Sequence, residues 1–354
     1  MNKKNKIAFI FKSREKEKNP SPDDFYYGYN YFKNADLIQQ LDLGIQYDEN
    51  LFWKIINKIF FPIIPINLRV LIVLAKKEIR DRLNSYDNII VTTNLLGMCF
   101  GLLKRYKLLN PKIYVMVMGI ISHKSNSLKI KVTKFIFGKI NTICVSKEEY
   151  NFLKIHFDRE NLHYLQFGVD KDFWLPLNNN TNNSYVLSIG NDSHRDYKLL
   201  IEAWKNEYPK LIIMTQQNVI SSKKNIKIIK SDWRSKIFSD YEIKEMYQNA
   251  SFVIIPLKET YQPSGQSVCL QAMGCGKAVI LSEILGLWDK EIMTNYRNCL
   301  LTKPGSIKDL QLNVEYLINN QLKRNNIGIV ARETVERKLN TKNMASGLFK
   351  ILGC

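Results

Sequence analysis

Residues 251–282 read SFVIIPLKETYQPSGQSVCLQAMGCGKAVILS and fall into distinct pieces. Phe252-Val253-Ile254-Ile255 is a short apolar run, rich in β-branched residues and closed by Pro256. It fits a buried strand of a parallel sheet. Lys258 to Gln266 is polar and carries Pro263-Ser264-Gly265, so it reads as a loop with a tight turn. Ser267 to Met273 predicts a helix capped by Ser267 and ended by Gly274 and Gly276. Ala278-Val279-Ile280-Leu281 is the next buried strand. The unit is strand, loop, helix, strand, with a glycine-bearing loop aimed at a helix N-terminus.

Such a terminus suits an anion. The first amides of a helix have no intrahelical acceptor, and the helix dipole is positive there. Gly265 lets a phosphate approach the backbone closely. An ordinary βαβ crossover with the same turn is the competing reading of the geometry.

The residues favour the anion site. The run Gly265-Gln266-Ser267-Val268-Cys269-Leu270-Gln271-Ala272-Met273-Gly274-Cys275-Gly276-Lys277-Ala278-Val279-Ile280 resembles the donor-site segment of GT-B glycosyltransferases, close to glycosyltransferase family 4. In that family a glycine-containing loop precedes a Glu-Ala-Met helix and a Gly-(Lys/Leu)-Pro-Val strand entry. The likeness covers most of residues 164–352 and, more loosely, the whole chain. It implies an α/β fold of two Rossmann-like parallel-sheet domains facing a cleft. The family carries two spaced glutamates. The second falls at Gln271, whose amide still offers an acceptor to a nucleotide ribose. The first falls at Gln262 or Pro263, so neither position is an acid here.

Further motifs extend the resemblance. Phe167-Gly168-Val169-Asp170-Lys171-Asp172-Phe173-Trp174-Leu175-Pro176 resembles the Gly-Val-Asp-x-x-x-Phe-x-Pro stretch that joins the two domains. The polar spacer Asn178 to Ser184 reads as linker. The implied organisation is an acceptor-side domain over 1–170, a linker over 171–184 and a nucleotide-sugar domain over 185–330. A C-terminal helix over 331–354 then returns toward the first domain.

Strand Tyr185 to Ile189 leads into Gly190-Asn191-Asp192-Ser193-His194-Arg195-Asp196. Counting back from Ala203 places the family's basic residue at Arg195, expected to clamp the diphosphate with its guanidinium fork. A surface pair with Asp196 is the alternative. Asn191 stands where the family has a second arginine. Gly28, after the first strand, is the candidate for a donor-phosphate glycine, with an aromatic packing corner as the alternative. His123, after strand 112–118, is the candidate donor-sugar histidine, with an ordinary surface histidine as the alternative. Trp233 either stacks on the nucleotide base or anchors its loop. With Ser264, Gly265, Gln266, Ser267 and Gln271 these complete the expected donor site.

The whole chain bounds this reading. Its 354 residues suffice for two domains. Six scattered cysteines have no metal or redox spacing, which points to a reducing cytosol. Four histidines form no cluster, so no metal is expected. The formal charge of +19 is concentrated: residues 51–150 hold 17 Lys or Arg against five Asp or Glu. That excess implies an anionic partner, or simply a solvated lysine-rich surface.

Residues 50–84 read as two helical parts split by Pro62 and Pro65. The first is an interfacial helix or a core helix with lysines at its rim. Residues 127–139 read as a basic amphipathic helix. Both 51–75 and 127–139 are expected membrane contacts, without a spanning segment. The chain ends with helices from Ile307 and from Val330.

The expected activity is transfer of a sugar from a nucleotide diphosphate, UDP-linked, to a hydroxyl of a glycan or lipid-linked acceptor. Cations and backbone donors meet the charge on the leaving diphosphate, so no metal or other cofactor is called for. The resemblance implies retention of configuration; the scattered cysteines and the basic first domain point to a cytoplasmic protein, peripheral at the inner face of the membrane. Gln262 and Gln271 keep open a degenerate nucleotide-sugar-binding protein, and the shared fold an epimerase. No nucleic-acid module is recognisable.

Overall fold

The computed structural model describes residues 5–12, 22–45, 66–121, 125–177, 185–231 and 238–353. His123, Trp233, the part of the predicted 50–84 helices before residue 66, and the spacer 178–184 lie outside them. The chain divides into two compact units. One comprises Met1–Asn19, Tyr26–Gln166 and Ala345–Cys354; the other comprises Pro20–Phe25 and Phe167–Met344.

The first unit holds strands β1 (Ile7–Phe11), β2 (Ala35–Gln39), β3 (Asn88–Val91), β4 (Lys112–Val117), β5 (Asn141–Cys144) and β6 (Leu162–Tyr164). They form one sheet in the order β2-β1-β3-β4-β5-β6, with every pairing parallel. All five residues of β1 and all four of β3 are buried, as in a sheet covered on both faces. The helices are α1 (Leu68–Leu74), α2 (Lys77–Asn84), α3 (Asn94–Arg105), α4 (Ser127–Phe137) and α5 (Lys147–Leu153). Side-chain caps fix four of their starts, Asn67 accepting from Val70 N at α1. Thr93 accepts from Leu96 N, Asn126 from Lys129 N and Ser146 from Glu149 N. Each such cap stabilises a helix by about 1 kcal/mol.

The second unit holds β7 (Tyr185–Ile189), β8 (Leu211–Thr215), β9 (Ile226–Lys230), β10 (Ala250–Ile255), β11 (Val279–Ser282) and β12 (Leu300–Thr302). Their order is β12-β11-β10-β7-β8-β9, again all parallel. Helices α6 (Tyr197–Ala203), α7 (Asp240–Asn249), α8 (Gln266–Gly274), α9 (Ile307–Asn319) and α10 (Gln321–Arg337) belong to this unit. Its core includes Val186, Leu200, Trp204, Ile213, Ile254, Ile280, Leu310 and Val314, all buried. Two doubly wound α/β sheets are therefore present, as the resemblance implied.

One strand was not expected and one expected helix changes. Strand β2 carries the sequence Ala-Asp-Leu-Ile-Gln on the sheet edge, too polar to stand out as a buried run. The helix expected from Val330 is two helices: α10 starts nine residues earlier, and α11 (Thr341–Leu352) follows a break at Lys338–Asn340. Asn340 stabilises that break, its Nδ2 donating to Glu336 O at 2.9 Å and its Oδ1 accepting from Asn343 N at 2.9 Å.

Candidate functional site

In the second sheet β7 and β10 are neighbours, and successive strands wind away from them in opposite directions. The carboxyl ends of strands at such a reversal bound the crevice where open α/β sheets bind ligands. Gly190–Asp196 follows β7 there, and Pro256–Gly265 follows β10. The two loops are sewn together. Arg195 and Leu257 form an antiparallel bridge. Lys258 N donates to His194 O at 2.8 Å, and Asp196 N to Pro256 O at 2.9 Å.

Arg195 lies beneath this junction with 2% of its side chain exposed, its Nε 2.9 Å from Asp192 Oδ2. The guanidinium rests against two glycines. A Cβ at Gly190 would fall 2.2 Å from Nε, and one at Gly265 would fall 3.3 Å from Nη1 and 2.7 Å from Ile255 Cγ2. Their φ values of +155° and +77° also favour glycine. Tyr197 Oη secures the first loop by donating to Gly190 O at 2.7 Å. Arg195 Nε and Nη1 are buried with no hydrogen bond among the described residues, so the contact with Asp192 is an ion pair alone. Asp192 ties the loops through its other oxygen, accepting Ser264 Oγ at 2.6 Å and His194 N at 3.1 Å. The alternative surface pair with Asp196 is not formed: Asp196 caps α6, accepting from Leu199 N at 3.2 Å.

Helix α8 opens at Gln266 with Gly265 as its N-cap and no side-chain cap bond. Ser267, expected to cap the helix, is instead its second residue, because the left-handed Gly265 turns the chain into the helix two residues sooner. Cys269 N closes the first intrahelical bond, to Gly265 O at 3.0 Å. The first amides of a helix have no intrahelical acceptor, and the amide of Ser267 is one of them. Ser264 and Gln266 are buried, while Gly265 and Ser267 are half-buried. Ser264, Gly265, Gln266, Ser267 and Arg195 are thus gathered at one strand-edge junction.

The other expected residues are placed differently. Asn191 staples three loops, its Oδ1 accepting from Gln216 N at 2.7 Å and its Nδ2 donating to Ser231 O at 3.4 Å. Gln271 faces the protein interior. Its Nε2 donates to Asp24 Oδ2 at 2.9 Å, and its Oε1 accepts from Tyr247 Oη at 3.5 Å. Its amide is therefore largely committed within the protein. Gly28, in the first unit, packs on α11, with its missing Cβ 3.1 Å from Ala345 Cα.

Asp24 is a residue that sequence reasoning passed over. It is buried, and its carboxylate also accepts from Trp174 Nε1 at 2.7 Å and from Asp170 N. Burial lifts its carboxyl to about 6, against the pull of the hydrogen bonds from Gln271, Asp170 N and Trp174. Asp192 and His194 were passed over too, although the Gly-Asn-Asp run after a predicted strand is the kind of signal that marks a crevice loop.

Among the described residues the first unit holds one comparable carboxyl. Glu149, at the start of α5, is buried and accepts from Gly119 N at 2.7 Å and Ile120 N at 3.2 Å, both on Oε1. Its Oε2 has no partner among the described residues. Burial raises it to about 7, the two amides opposing. Among the described residues no group of three or more His, Cys, Asp or Glu is disposed to hold a metal.

Residues 175–334 match the family model of glycosyl transferases group 1. No curated protein is similar enough in sequence to count as a match. Solved structures share the fold over nearly the whole chain. Anabaena HepE in complex with UDP-glucose is 14% identical, with a TM-score of 0.70, covering 98% of this chain and 99% of its own. Sucrose-phosphate synthase from Thermosynechococcus elongatus is 15% identical, with a TM-score of 0.73 and coverages of 99% and 98%. A glycosyltransferase from Rickettsia africae is 15% identical, with a TM-score of 0.70 and coverages of 98% and 97%. Taken with the two doubly wound sheets, these matches show that the chain has the fold of GT-B glycosyltransferases and that its residues 175–334 match a glycosyl transferases group 1 domain.

Proposed function

We propose that the second unit binds the diphosphate of a UDP-linked sugar at the junction of Gly190 and Gly265, and that the sugar passes to a hydroxyl of a glycan or lipid-linked acceptor. The observation that carries this reading is the buried Arg195 between two glycines at the strand-order reversal, directly before the N-terminus of α8. The negative charge that builds on the departing diphosphate is met by the amides there, by the helix dipole and by the guanidinium below. Donors fixed in advance do not have to reorganise as the bond breaks, and loss of one such donor costs about 2.7–4 kcal/mol of barrier. In this reading the charge is met without a metal, and the reaction retains anomeric configuration.

Arg195 has a supporting role in this scheme. It holds Asp192, and through Asp192 the Ser264 hydroxyl, so the two loops keep one geometry. Asn191 supports the same loops from the side of β8 and β9. Trp233 stays in the proposal as a base contact and His123 as a donor-sugar contact.

The acceptor-side reading rests on the basic first domain. On α4, Leu128 and Phe135 are 50% and 47% exposed, and Lys131 and Lys134 are exposed beside them. Arg105 lies over the Phe135 ring at 4.1 Å. A helix with exposed apolar and basic residues fits an anionic lipid surface at the cytoplasmic face of a membrane. Among the described residues no helix is long and apolar enough to cross one.

Thermal unfolding against a panel of nucleotide sugars tests the donor, since a ligand that binds only the folded chain raises the midpoint. A rise with UDP-sugars that survives EDTA supports the reading. A flat panel removes it. Binding without release of UDP, once acceptors have been added, favours the degenerate binding protein that Gln262 and Gln271 motivate.

A further inference from the structure

The basic side chains of the two sewn loops are not equally placed. Arg195 is 2% exposed and held by Asp192, so it acts from beneath the loop. His194, one residue earlier, has 31% of its side chain exposed. Its Nδ1 stands 3.9 Å from Asp192 Oδ1. That is the oxygen that accepts Ser264 Oγ at 2.6 Å. The imidazole and the residue before Gly265 therefore converge on one carboxylate oxygen.

The backbone holds His194 at both ends. Its N donates to Asp192 Oδ1 at 3.1 Å, and its O accepts from Lys258 N at 2.8 Å. With Nδ1 turned toward Asp192, the other ring nitrogen, Nε2, points away from the carboxylate. A half-exposed donor is thus fixed beside the turn that leads into α8.

We propose that His194, as an imidazolium with Nδ1–H toward Asp192, is the ligand-facing donor of this loop, giving its Nε2–H to a diphosphate oxygen of a nucleoside diphosphate held at the start of α8. The proposal rests on the nucleotide-sugar reading above. As the bond between the sugar carbon and the diphosphate oxygen breaks, its electron pair stays on the oxygen. A fixed N–H donor then gains strength while the ring keeps its proton. Arg195 and Lys258 are the other basic side chains of the loops and Asp192, Asp196 and Glu259 the acidic ones, so substitution of His194 leaves the rest of the junction charged as before.

The test compares UDP, measured by calorimetry, with uridine, measured by saturation-transfer NMR, on the full chain and on His194→Gln. The expected result is UDP binding weakened about tenfold or more, as for a lost hydrogen bond to a charged group. Uridine, which has no phosphate, is expected to bind both chains alike. Unchanged UDP affinity in the variant overturns the proposal. Parallel weakening of UDP and uridine also overturns it, because that marks a disturbed loop and not a lost phosphate contact. A wild-type chain that binds neither compound brings down the nucleotide-sugar reading itself, a result distinct from either.

Discussion

Gln271 Nε2 donates to Asp24 Oδ2 at 2.9 Å, joining residues 247 positions apart inside the second unit. The contact gives a reason for the amide at 271. A glutamate there would set two carboxylates against each other in a buried space, where like charges cannot both ionise cheaply. Gln271→Glu is expected to destabilise the protein at pH 7.5 by about 1–3 kcal/mol, the cost of a mismatched buried polar group. The double variant Asp24→Asn, Gln271→Glu should recover part of the loss. Chemical denaturation of the three chains checks this, and an additive double variant would refute the pairing.

Asp24 also gives the stability a pH dependence. Its carboxyl titrates at about 6 in the folded protein, against 3.8 ordinarily. Below the lower value both states hold the proton; between the two only the folded state does. The contribution is therefore fully present below about pH 4 and lost as pH rises through about 6, a change on the order of 3 kcal/mol. Asp24→Asn has no such dependence, so its stability relative to wild type should improve between pH 4.5 and 7.5. A constant difference across that range would contradict the assignment.

Glu149 should behave in the same sense. Burial raises it from 4.5 to about 7, so its contribution is lost as pH rises through neutrality. Glu149→Gln keeps an acceptor for Gly119 N and Ile120 N without burying a charge. Its stability relative to wild type is expected to rise between pH 5 and pH 8, read by urea unfolding at each pH.

Removing Arg195 tests the support beneath the loops. Arg195→Ala leaves Asp192 without its cation and opens space under Gly190 and Gly265. We expect loss of turnover together with a stability loss of about 1–3 kcal/mol, below the value for a fully buried pair because Asp192 is partly exposed. Parallel turnover and unfolding measurements decide, and wild-type values for both would remove Arg195 from the account.

Gly265→Ala probes the turn directly. The added Cβ meets Ile255 at 2.7 Å, in a backbone conformation that alanine adopts at a cost. The α8 amides should shift, and UDP-sugar turnover should fall by about tenfold or more, since a small misplacement at a preorganised site has large effects. Activity within a factor of two of wild type would show that the turn does not position the donor.

The second unit was the more legible of the two. Phe252–Ile255, Gly265 and Val279–Leu281 have the apolar runs and turn chemistry that specify a strand, a loop and a helix start by themselves. The cap was misassigned because a left-handed glycine can start a helix without a side-chain acceptor, and Ser267 looked like the better cap. Gln271 and Asn191 were legible as positions but not as contacts. Their partners, Asp24 for one and the Gln216 and Ser231 backbone for the other, come from distant parts of the chain that only folding brings together. The burial of Arg195 was hidden for the same reason: nothing local to His194-Arg195-Asp196 says that two glycines will close over a guanidinium.

The most direct test of the central claim is a crystal structure of the full chain soaked with UDP. The account predicts diphosphate oxygens within about 3 Å of the amide nitrogens at the start of α8, next to Gly190 and Gly265. A diphosphate bound away from the β7–β10 junction, with those amides untouched, would contradict it.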